Sequence, residues 1–103
     1  MVKIEQLKYL DALNGTSFFG GMVLACANDL EKKLGVKPEL GGDKVTFEFD
    51  LQLEDGTPFS LYDWKEYQIG RNTQVYYHVG SRNREDTGKV CHALRDYGFI
   101  VKY

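Results

Sequence analysis

The sequence predicts an α+β fold, a small antiparallel sheet built as a three-stranded meander, with a C-terminal fourth strand as an option and helices packed on one face. Three observations carry this. In "KVTFEFDLQLE" the apolar Val45, Phe47, Phe49, Leu51 and Leu53 alternate with Thr46, Glu48, Asp50, Gln52 and Glu54, the pattern of a half-buried antiparallel strand. Asp55-Gly56 follows at once and supplies the positive backbone angles of a tight hairpin turn. Near the C-terminus Thr87, Val90, Cys91, Leu94 and Tyr97 recur at helical spacing behind Asn83, a good N-cap residue.

In order along the chain, Ile4, Leu7, Leu10 and Leu13 stand three apart and suggest a short helix over residues 4–13, although Val2 and Ile4 also suit the start of a strand. A second helix is expected from Thr16 or Ser17 to Gly35, with Phe18, Phe19, Met22, Cys26, Leu30 and Leu34 as its apolar stripe. Gly20-Gly21 opposes that helix by about 1 kcal/mol each and calls for a close backbone contact or a non-helical first turn. The hairpin strand returns at Phe59 to Leu61, Gly70 to Thr73 makes a turn, and "TQVYYHV" forms the third strand. The last helix spans Arg84 to Tyr97, carries Glu85 and Asp86 in its first turn, where the helix dipole favours acids, and stops at Gly98. "FIVKY" then offers a short edge strand or a docked tail.

A chain of 103 residues suits a single domain spanning 1–103. Its 43% apolar and 27% charged residues are ordinary for globular proteins, and a net charge of −2 does not in bulk mark a nucleic-acid binder. Cys26 and Cys91 read as small buried hydrophobes rather than a disulfide. No signal-like or membrane-spanning stretch stands out, so a cytoplasmic protein without membrane contact is expected.

Chemistry-bearing constellations are few. His78 and His92 with these cysteines make no metal-ligand spacing, and no phosphate-binding loop, dinucleotide fingerprint or nucleophile elbow occurs. Neither a metal nor a cofactor is expected. Asp63, Glu66 and His78 form one conceivable acid-base group for a small hydrolase or nuclease. The densest local feature is "YDWKEY", Tyr62 to Tyr67. If the strand of Phe59 and Leu61 keeps its phase, Asp63 points inward and Tyr62 and Trp64 face out beside Tyr76 and His78. If it bulges at Asp63, Trp64 enters the core instead. Between Trp64 and Arg84, Lys65, Arg71, Arg82 and Arg84 face only Glu66, whereas the rest of the chain is net acidic. "GSRNR" precedes a helix N-terminus, a place able to receive an anion.

"FSLYDWKEY", followed by "YYHVGSRNRE" and a helix, resembles small accessory proteins encoded by tailed bacteriophages, in which a YDWK-type strand precedes an H-[IV]-G strand end. The resemblance spans residues 57–97. It implies an accessory protein acting in the bacterial host cytoplasm as an inhibitor or modifier of a host enzyme or defence system, and it brings no catalytic residues. The expected function is non-enzymatic docking on a host macromolecule through Tyr62, Trp64, Tyr76 and His78, with Arg82 and Arg84 at the rim. The alternative is single-stranded nucleic-acid binding, with these rings stacking on bases and Arg71, Arg82 and Arg84 following the phosphates. The same apolar surface is equally able to close a homodimer.

Overall fold

The computed structural model describes residues 1–103. The elements are β1 (Ile4–Gln6), a 3-10 turn (Leu10–Leu13), β2 (Ser17–Ala25), α1 (Ala27–Leu34), β3 (Glu39–Leu40), β4 (Phe47–Leu53), β5 (Pro58–Tyr62), β6 (Val75–Ser81), α2 (Arg84–Asp96) and β7 (Ile100–Lys102). All strands join one antiparallel sheet of order β1-β4-β5-β6-β2-β7, and β3 pairs with the start of β4. The fold is α+β, but the expected three-stranded meander with an optional fourth strand is overturned by a seven-stranded sheet.

The difference comes from the first forty residues. Residues 4–13 are not a helix: Ile4 pairs with Leu53 across β1 and β4, and only Leu10–Leu13 turns helically. A three-residue strand is too short to display a period of two. The expected helix from Thr16 or Ser17 to Gly35 is instead β2 followed by α1. β2 lies between β6 and β7, with apolar residues on both faces, Val23 and Ala25 towards the helices and Met22 and Leu24 away. A strand apolar on both sides does not alternate, so the spacing of its large residues imitates a helical stripe. The glycines explain the rest. Gly20 adopts φ +100 at a ladder irregularity between Phe18 and Met22. A Cβ added at Gly21 would come within 2.7 Å of Thr87 Cγ2 and 3.0 Å of Cys91 Sγ, so the bare backbone lets α2 settle onto β2.

The remaining elements follow the expected chemistry. Gly56 takes φ +91 in the β4–β5 turn, and Gly35 ends α1 in the left-handed conformation. Asn83 Oδ1 accepts from the Asp86 amide at 2.8 Å to cap α2. Phe47, Phe49, Leu51 and Leu53 of β4, Phe59 and Leu61 of β5, and Val75, Tyr77 and Val79 of β6 form one core with Leu30 and Leu34 of α1 and Val90, Cys91 and Leu94 of α2. Each such side chain contributes about 1.5–3 kcal/mol by leaving water. The core therefore lies on the helix-covered face, and neither helix is long and apolar enough to cross a membrane. Both cysteines are buried and free, although Cys26 stands at the junction of β2 and α1 rather than on a helix face.

Asp63 decides how β5 ends. The β4–β5 register pairs Glu48 with Tyr62, so one more step brings Asp63 to the core side opposite Phe47. There it is fully buried. Its carboxylate accepts from the Phe47 amide at 2.7 Å and from the Thr46 amide at 2.9 and 3.0 Å, charge-assisted bonds that meet the cost of burial. Pairing stops, and the Lys65 amide donates to the Lys44 carbonyl at 2.7 Å. Beyond it Lys65, Tyr67 and Gln68 hold φ of +58, +50 and +54, each costing about 1–2 kcal/mol for a residue with a Cβ. Replacing Asp63 by Ala should strip two amides of their acceptor and lower stability by about 3 kcal/mol in urea unfolding, with Asp63→Asn, which keeps one acceptor oxygen, falling between.

Candidate functional site

The sheet face turned away from the helices carries the even-numbered residues of β4, β5 and β6. The 3-10 turn packs over β5 and covers part of this face, and Asp50, Gln52, Pro58 and Ser60 there are buried. Next to them the face is open. His78 sits at its centre, paired across the sheet with Tyr62 on one side and Met22 on the other. An unbroken β2–β6 ladder counted from Met22–His78 would set Phe18 opposite Arg82, but the irregularity at Gly20 sets it opposite Gly80. That displacement brings the Phe18 ring onto the His78 imidazole, 4.2 Å between centroids and 24° from parallel. Tyr62 approaches His78 from the other side at 5.6 Å, and Trp64 meets Tyr62 edge-on at 6.3 Å. Four rings thus form one continuous row, in geometries typical of favourable aromatic pairs.

Both ends of the row are accessible, Phe18 and Trp64 each being 42% exposed. Of the two courses open to the strand at Asp63, the one that keeps Trp64 out of the core is realised. The Trp64 ring has the ammonium groups of Lys44 and Lys65 each 5.7 Å from its centroid. Tyr76 shares this face, pairs with Leu24 and lies under the Lys102 ammonium at 4.3 Å. Burial favours the neutral ring and holds the His78 pKa below the usual imidazole value, an effect partly offset by the Glu66 charge.

Of the expected binding residues, Tyr62, Trp64, Tyr76 and His78 come together, whereas Arg82 and Arg84 do not join them. Arg82 lies six residues along the chain from Tyr76, about 20 Å away, and two residues beyond Gly80, the partner of Phe18 at the other end of the row. Arg82 Nε is bound to Asp86 Oδ2 at 2.9 Å. With Asn83 capping and Glu85 and Asp86 in the first turn, the N-terminus of α2 is supplied with its own acceptors and acids. Arg71 is on the helix side, paired with Glu31 and 5.6 Å from the Phe47 ring. The three arginines therefore do not form a phosphate track beside the rings. Nor does the acid-base group assemble: the Asp63 carboxylate is spent on backbone amides on the core side, while His78 projects from the opposite face.

Two acids of β4 also belong to this face. Glu48 lies opposite Tyr62 and Asp50 opposite Ser60. Burial, then the hydrogen bond and charge of Glu48, pushes Asp50 from 3.8 up to about 7. Tyr62 is raised as well, by burial and then by the Glu48 charge. The alternation of β4 could have found both acids, since every even position shares one face; what it could not show was that the 3-10 turn would bury Asp50. Phe18 was misplaced for the reason that β2 was, its assignment to a helix stripe.

The fold prefers the protonated Asp50, so its contribution to stability is full below the ordinary carboxylate pKa of 3.8 and is lost as pH rises to about 7. Asp50→Asn cannot ionise. Its melting temperature relative to the parent chain should therefore be higher at about pH 8 than at about pH 4, by at least about 5 °C, the equivalent of about 1 kcal/mol, measured by circular dichroism.

No protein-family model, curated protein or solved structure matches this chain, and its own geometry is what bears on function.

Proposed function

We propose that this chain is a non-enzymatic binding protein that docks on a protein partner through the open sheet face. The observation that carries the reading is the row Phe18, His78, Tyr62 and Trp64, left uncovered while both helices pack on the other side. Aromatic side chains are the commonest energetic anchors of interfaces, and a contiguous aromatic patch on a small protein marks an interaction surface. The segment 57–97 that resembles phage accessory proteins supplies Tyr62, Trp64, Tyr76 and His78, which supports a bacterial host protein as the partner and the host cytoplasm as its place of action. Trp64→Ala and His78→Ala remove exposed or half-exposed rings and leave the core intact. Each should cut partner capture by about tenfold or more; Trp64→Ala should leave the melting temperature nearly unchanged, and His78→Ala, which loses the Phe18 and Tyr62 ring contacts, should lower it by only a few degrees. Undiminished capture by both variants would discard this face.

A second reading is favoured by one observation, the pair of lysines beside the exposed Trp64. A ring that stacks a base with two ammonium groups for its phosphates is the minimal unit of single-strand binding. Here the affinity for a short single-stranded oligonucleotide should fall steeply between low and moderate salt, and the Trp64 fluorescence should be quenched on binding. A salt-independent or absent response assigns the face to protein.

A further inference from the structure

The surface carries two clefts, and they differ in how their polar side chains are used. In the one beside α1, Asn28 Nδ2 donates to Asn72 Oδ1 at 2.6 Å, Arg71 Nε donates to Asn28 Oδ1 at 3.1 Å, and Glu31 pairs with both Arg71 and Lys37. Those groups already serve one another. The second cleft, of about 410 Å³, is lined by the β3–β4 turn and the loop after β5, a size ordinary for a small-molecule site. There the Thr46 amide is spent on Asp63, but the Thr46 hydroxyl and the side chains of Asp43, Tyr67 and Gln68 enter none of the fold's hydrogen bonds or ion pairs. The backbone is a second, independent observation. Tyr67 and Gln68 line the cleft at φ +50 and +54, conformations that disfavour a residue with a Cβ and that gather at ligand clamps. Neither belongs to the core, and the Tyr67 side chain is 59% exposed. On the turn side, Gly42 is outside the left-handed region and a Cβ added there would meet nothing within 4 Å. The fold does not require glycine at that position, whereas a ligand approaching the backbone closely would.

We propose that this cleft binds a neutral saccharide, a pyranose ring laying its C–H face on Tyr67 and bonding through its hydroxyls to Asp43, Thr46 and Gln68. The lining selects that chemistry. It holds no cation, and the lysines next to it in sequence, Lys44 and Lys65, are turned to the Trp64 ring, so a phosphate, sulfate or carboxylate would enter uncompensated. One carboxylate is too few for a metal ion, and the chain has no group of three metal-ligating side chains. A wholly apolar ligand would take the Asp43 carboxylate and the Gln68 amide out of water without partners. A sugar meets both demands. Its hydroxyls donate to a carboxylate and both donate to and accept from an amide or a hydroxyl, while its C–H face covers the exposed Tyr67 and Leu40. None of the lining residues belongs to the aromatic row, so the site is separate from the docking face and does not rest on that reading.

The test titrates the full isotope-labelled chain with the methyl glycosides of glucose, galactose, mannose and N-acetylglucosamine at millimolar concentrations, followed by amide NMR. Tetramethylammonium chloride and sodium phosphate are the controls for a cationic and an anionic ligand. Saturable shifts at Gly42, Thr46, Tyr67 and Gln68 are expected with at least one glycoside and with neither control. The affinity for that glycoside should fall by about tenfold or more in Tyr67→Ala, which removes an exposed ring and leaves the core intact. Gln68→Gly should weaken binding while raising the melting temperature, because glycine accepts the left-handed backbone without strain. A residue with no part in binding would show the second change without the first. Shifts with none of the glycosides, shifts centred on Phe18, His78 and Trp64 instead, an equal response to either control, or an affinity indifferent to both substitutions would overturn the proposal. Each of those results leaves the docking reading to its own test, the capture by Trp64→Ala and His78→Ala.

Discussion

A buried carboxylate that bonds two backbone amides sets the end of a strand, the course of a loop and the exposure of the only tryptophan. Asp63 reaches the core side of the sheet because the β4–β5 ladder continues in phase, and it stays there because Thr46 and Phe47 present amides to it. The alternative, a bulge that turns Trp64 inward, would leave these donors without a charged acceptor. Strand end, left-handed loop and outward tryptophan are therefore one event. The loop backbone at Lys65, Tyr67 and Gln68 is unfavourable by itself and is held by the clamp on one side and the Lys65–Lys44 hydrogen bond on the other.

The two sheet faces divide the work. One gathers the phenylalanines, leucines and valines of the central strands under α1 and α2 and supplies most of the burial. The other carries rings and acids at positions that are not needed for the core, part sheltered by the 3-10 turn and part open. The irregularity at Gly20 links the two faces: where the ladder shifts, β2 offers the bare Gly21 to α2 on one side and moves Phe18 onto His78 on the other. Helix packing and the aromatic row thus share a cause in one pair of glycines.

How much of this was legible depended on how many residues each feature needed. β4, the Asp55-Gly56 turn, β5, β6 and the capped α2 were readable because each is long enough to show its period or carries a turn or cap residue that few alternatives tolerate. β1 and β3 have three and two residues and exist only because β4 offers an edge. β2 misled because it is apolar on both faces, and with it went Phe18. Four of the six proposed binding residues met on one face since alternation alone puts Tyr62, Tyr76 and His78 there. Arg82 and Arg84 were grouped with them by proximity in sequence, but strand direction carried them to the far end of the sheet.

By itself the sequence determined the polarity of each central strand, the turns at Gly56 and Gly35, the extent of α2 and the choice of only two fates for Trp64. These are local properties, set by backbone sterics and by which side chains can face water. Only the tertiary structure decided that the sheet has seven strands, that Arg71 and Arg82 are taken by Glu31 and Asp86, that Asp50 is buried beside Glu48 with one carboxyl oxygen unpartnered, and that Trp64 lies outside. Each of those outcomes depends on what a distant segment places opposite a residue. A hydrogen bond between Asp63 and residues 46–47, or the shelter of a 3-10 turn over Asp50, has no signature in the residues next to it.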